Sequence, residues 1–166
     1  MFDLVDITGV PHKWQSKHPI KALKFQGSSD QEVPVIRALK YWKKCDAEEY
    51  EGLIQGLRKC GSAERFVDNN IVKQIRPGIY EIRAVSVRDN DDANANPYVD
   101  KPQTATLKAR LFFFYHWNSD GREEIIICTN ACAKDPIPNE PSLESDQNTA
   151  ILRCEKLMQL YLQNEA

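Results

Sequence analysis

The chain has 166 residues and a mass of 19.0 kDa, and is 42% hydrophobic and 28% charged, which suits one core in an ordinary globular protein. Its formal charge of −2 divides into +2 over residues 1–134 and −4 over residues 135–166. This argues against tight, nonspecific nucleic-acid binding but leaves room for a local basic face. No apolar run approaches the roughly 18 residues of a membrane span, and MFDLVDITGV lacks the basic-then-apolar pattern of a secretion signal. Cys45, Cys60, Cys128, Cys132 and Cys154 have no framework spacing and read as reduced thiols of a cytoplasmic protein.

Residues 1–19 show no sustained hydrophobic period and contain Gly9–Val10–Pro11 and His18–Pro19. They read as an extension with room for one short strand, ahead of a domain over residues 20–166. Ile20 to Phe25 alternates apolar residues with lysines, the pattern of a half-exposed strand. From Pro34 the period turns helical: Val35, Leu39 and Trp42 fall at i, i+4 and i+7, with Arg37, Lys40, Lys43 and Lys44 elsewhere. Asp46 to Glu49 has the form of a capping box, with Asp46 accepting from first-turn amides and Glu49 reaching back. A second helix follows, with Tyr50, Leu53, Ile54 and Leu57 on one face and Gly61 as its C-cap. Together these predict a helical hairpin covering one face of a sheet.

The sheet itself is written in residues 78–134. GIYEIRAVSV, KARLFFFYHW and EEIIICTNACAK are three apolar, β-branched and aromatic runs, the last two joined by a Ser119–Asp120–Gly121 turn. They predict three successive antiparallel strands, Ile79–Val87, Leu111–Tyr115 at the centre and Glu124–Thr129. Leu111 to Tyr115 is apolar at every position, so both of its faces must be covered. The polar connection Asn90–Gln103 is longer than a hairpin needs, which marks a mobile tongue or an interaction loop. Three prolines in DPIPNEP end the third strand. A final helix from about Ser142 to Gln163 carries Ile151, Cys154, Met158 and Tyr161 as its apolar stripe. The predicted class is α+β: an N-terminal helical hairpin packed on a small, mainly antiparallel sheet, with a C-terminal helix.

Function is sought in the polar residues that such a sheet does not need. Arg83 and Arg110 fall on neighbouring strands and can present two permanently charged forks on one face, suited to a phosphate or a phosphorane. The alternative is structural: one or both pair with Glu81, Glu123 or Glu124. Lys134 follows the third strand, and Thr129 lies within it. His116, at a strand end, has the chemistry of a general acid or base, yet sits by a turn where solvation suffices; His12 and His18 offer less. Cys128 and Cys132 lack the second close ligand pair that zinc would want, so no metal or cofactor is expected. Gly-rich phosphate loops, GxSxG and HExxH are absent from the sequence.

The order helix, helix, strand, strand, strand, helix, with its particular wording, resembles the RelE/ParE toxin superfamily, and within it the HigB-type, phage-derived toxins of bacterial toxin–antitoxin pairs. Gly78–Ile79–Tyr80–Glu81–Ile82–Arg83 fits the family's G-[LI]-Y-E-[LI]-R, and Arg110–Leu111–Phe112–Phe113–Phe114 fits R-[IL]-F-[YF]-F. The likeness covers about Ile20 to Tyr161. It implies a RelE-like fold and metal-independent, ribosome-dependent cleavage of messenger RNA, with a cognate antitoxin, the messenger and the ribosome as partners and no membrane. The implied site is Arg83, Arg110, Asn130, Lys134 and Tyr161. The third motif departs: Thr129–Asn130–Ala131–Cys132–Ala133–Lys134–Asp135 stands where T-H-G-F-x-K-K is expected. Asn130 replaces the His and cannot carry a proton at neutral pH. A second implied function is therefore a catalytically degenerate binding protein of the same fold, acting by contact with an antitoxin, gyrase or another phage or host target.

Overall fold

The fold is organised about one strand, Thr106–Trp117, in which Phe112, Phe113 and Phe114 are all fully buried. The computed structural model describes residues 1–10, 18–62, 71–85, 106–117 and 124–165. The Ser119–Gly121 turn, the Asn90–Gln103 connection and His12 lie outside the described residues. In chain order the elements are β1 (Phe2–Asp6), β2 (Ile20–Phe25), α1 (Pro34–Cys45), α2 (Ala47–Ser62), β3 (Val72–Arg76), β4 (Ile79–Val85), β5 (Thr106–Trp117), β6 (Glu124–Ala133) and α3 (Gln147–Glu165). The strands form one six-stranded sheet in the order β1-β2-β6-β5-β4-β3.

One expectation is corrected: the helical hairpin is not N-terminal, because β1 and β2 precede it and pair with each other from Phe2↔Phe25 to Asp6↔Lys21. The sheet is mainly antiparallel, as expected, with one parallel pair, β2 alongside β6 with Ile20↔Ile126 and Ala22↔Cys128. The expected antiparallel core is present: β5 lies between β4 and β6, and pairs antiparallel with both.

Alternation along β5 divides the core in two. Ala109, Leu111 and Phe113 join Tyr80, Ile82, Leu53, Leu57, Leu39 and Trp42 beneath the α1–α2 hairpin. Phe112 and Phe114 lie on the other face, against Ile151 and Cys154 or Leu157 and Tyr161 of α3. An apolar run on both sides is thus covered by helices on both sides, each fully buried phenylalanine contributing about 1.5–3 kcal/mol.

Local chemistry fixes the joints. Pro77 and Gly78 turn β3 into β4, with Gly78 at φ +81°, a backbone region that glycine occupies without steric cost. In α2, a methyl group at Gly52 would lie 2.7 Å from the Val85 carbonyl, so the absence of a side chain lets the helix rest directly on β4. The capping box forms only in half: Asp46 accepts from the Glu49 amide at 3.4 Å, while the Glu49 side chain turns inward. Gly61 is not a C-cap, since α2 continues through Ser62 and the Gly61 carbonyl accepts from the His18 amide. The C-terminal helix starts later than its pattern suggested, at Gln147, where Asp146 receives the Thr149 amide at 2.7 Å.

Candidate functional site

On the α3 face of the sheet, Arg83 and Arg110 are direct cross-strand partners. Two like charges so placed repel. Glu81, two residues before Arg83 on the same face, is fully buried and sits between them. Its Oε2 accepts from Arg83 Nε at 3.2 Å, and its Oε1 lies 3.7 Å from Arg110 Nε. Gln147, in the first turn of α3, donates its side-chain amide to Oε1. Arg110 also donates through Nη1 to the carbonyls of Leu107 at 2.6 Å and Ala109 at 3.0 Å. Burial pushes the Arg110 guanidinium below its usual pKa, and Arg83 adds to that fall, while Glu81 opposes it. The arrangement is a buried carboxylate with two guanidiniums, closed above by an amide.

Asn130 reaches this face because of a β-bulge. Phe113 pairs with Cys128 and Phe112 with Asn130, so Thr129 is the extra residue between them. The bulge shifts the alternation by one and places Asn130 and Cys132 beside Phe112 and Arg110. Asn130 is fully buried, donates Nδ2 to the Ala150 carbonyl at 3.0 Å and accepts at Oδ1 from the Thr129 hydroxyl at 2.6 Å. Its amide is committed to fastening α3 to the sheet.

The other predicted site residues scatter. Lys134 is exposed, its amide donating to the Lys108 carbonyl at 2.7 Å, so register sets it opposite Lys108 on the Arg110 side of the sheet. Lys108 Nζ stands 3.6 Å from Asp135. Tyr161 is buried among aromatic rings, with centroids 5.7 Å from Phe114, 6.2 Å from Phe2 and 5.0 Å from His116. It lies fourteen residues along α3 from Gln147, about 21 Å of helix. Arg83, Arg110, Asn130 and Lys134 therefore share one region of the sheet, and Tyr161 stands apart at the other end of α3.

The His116 and Tyr161 rings meet nearly at right angles, and His18 is buried with Nδ1 3.0 Å from the Glu124 carbonyl. Cys128 belongs to the hairpin-side core and Cys132 to the α3-side core, so the pair cannot share a metal. Among the described residues no group of three or more His, Cys, Asp or Glu is placed to hold an ion.

Two residues outside the predicted set matter most here. Glu81 is visible in the sequence as a lone acid inside GIYEIRAV, and it is the hub of the arginine pair. Glu49 accepts from the amides of Lys108 and Ala109, each at 2.8 Å, and so binds the start of β5 to α2. Its position in a helix-start signature gave no sign of that long-range role. No protein-family model, curated protein or solved structure matches the chain.

Proposed function

We propose that the chain is a toxin-like protein of the RelE/ParE superfamily, HigB-type, restrained by a cognate antitoxin, and that it acts by contact with its target rather than by acid–base cleavage of RNA. The wording of β4 and β5 supports the family reading, together with a helical hairpin and a C-terminal helix on opposite faces of three antiparallel strands. The mode of action rests on one observation: Asn130, standing where the family carries a titratable group, is fully buried and bonded to the Ala150 carbonyl. A buried amide in that role neither accepts nor delivers a proton to a ribose. The neighbouring guanidiniums are drawn to Glu81.

Message cleavage remains as a second reading because Arg83, Lys108 and Lys134 share a side of the sheet, and half-exposed or exposed cations there suit a scissile phosphate. Expression without a partner, scored for growth and for message integrity, separates the two.

A further inference from the structure

Residues 134–146 form a strap from the end of β6 to the start of α3, and two arginines hold it down. Arg37 of α1 donates Nη2 to the Pro141 carbonyl at 2.9 Å, and Arg153 of α3 meets Glu144 with Nε 3.0 Å from Oε1. The Glu144 amide ties the strap to the Ala131 carbonyl at 2.9 Å. Beside the strap lies a cleft of about 490 Å³, lined by both arginines and by Ser142, Ser145 and Thr149.

We infer that this cleft binds a small phosphorylated ligand of mononucleotide size, its phosphate seated between Arg37 and Arg153. The charged side chains lining it, among the described residues, are those two arginines and Glu144, so the local balance is positive in a chain that is negative overall. Each guanidinium carries five N–H donors in a planar fork, and the strap engages only part of each. The hydroxyls of Ser142 and Ser145 add donors of the kind phosphates take, while that of Thr149 is engaged by the Asp146 carboxylate. The volume falls within the roughly 300–1,000 Å³ of ordinary ligand sites, and Pro34 and Leu143 provide an apolar wall for a ring. Strap-fastening alone would need the two arginines but not an open polar cleft between them. The inference stands independently of the toxin-like reading.

Calorimetric titration of the full chain at fixed ionic strength, with inorganic phosphate, AMP and a short single-stranded RNA lacking terminal phosphates, tests it. AMP should bind once per chain and phosphate should compete for the same site. Arg153→Gln should weaken AMP binding roughly tenfold or more, since it removes a charge-assisted fork. Lys43→Gln removes the same charge from α1 over the Tyr50 ring, outside the cleft, and should change the affinity by no more than about twofold. Should Arg153→Gln fail to fold, Arg37→Gln takes its place with the same expected loss. Absence of saturable binding, equal losses in both variants, failure of phosphate to displace AMP, or binding of the RNA alone would each overturn the proposal.

Discussion

Asn130 donates its side-chain amide to the main-chain carbonyl of Ala150 at 3.0 Å, tying the middle of β6 to the first turns of α3. Both residues are fully buried, so the bond has no water to replace it. Asn130→Ala should destabilise the fold by about 1–3 kcal/mol, read from denaturant unfolding. Asn130→Asp should cost more at neutral pH than in acid, because an ionised carboxylate cannot donate to Ala150 and a protonated one can. Asn130→His should also lower stability, where a vacant catalytic position would have tolerated it.

The Glu81 hub leads to an asymmetric set of losses. Arg110 is buried and has Glu81 as its carboxylate partner, so Glu81→Ala should cost about 3–5 kcal/mol by leaving a buried cation uncompensated. Arg83 is about a quarter exposed, at 27%, and Arg83→Ala should cost under about 1 kcal/mol. A double-mutant cycle should find stronger coupling for Glu81 with Arg110 than with Arg83. Equal couplings would mean that the hub does not hold Arg110.

Glu49 should rank with Glu81 although it lies on a helix. Glu49→Ala strands the amides of Lys108 and Ala109 at the start of β5, a loss on the order of 3 kcal/mol. Amide hydrogen exchange at those two residues should accelerate before the rest of β5 responds.

The parts of this fold that were legible in the sequence are those with a strong local signal. The unbroken apolar run Leu111–Tyr115 placed β5 at the centre with covered faces, and the 3.6 period gave α1 and α2. β3 carries no such signal, because Val72–Arg76 is short, mostly exposed and irregular between Gln74 and Arg76. The parallel pairing of β2 with β6 joins residues over a hundred positions apart, which no local period encodes. At the candidate site, the arginine pair and its acidic partner were both on view in the sequence. The bulge at Thr129 was not, and it decides which face Asn130 occupies. Tyr161 lies on the apolar stripe of its helix, as its spacing implies, and that same burial removes it from the arginines.

Thiol reactivity and alkaline stability follow from burial. Desolvation pushes Cys60, Cys132 and Cys154 up to about 12, and Cys128 well above its ordinary 9.0, while Cys45 is exposed. A disulfide reagent at neutral pH should titrate one thiol in the native protein and five in denaturant. The unfolded chain loses the thiol protons of Cys60, Cys132 and Cys154 near pH 9 and the folded chain only near 12, so stability should fall as pH rises through that window. Rapid labelling of several native thiols would contradict the packing described.

The claim that the chain acts by contact is tested most directly by expressing it in bacteria without a partner and mapping the ends of translated messages as growth stops. The account predicts arrest with messages intact. Arrest with fragmented messages, relieved by Arg83→Ala or Lys134→Ala in proteins that remain folded, would contradict it.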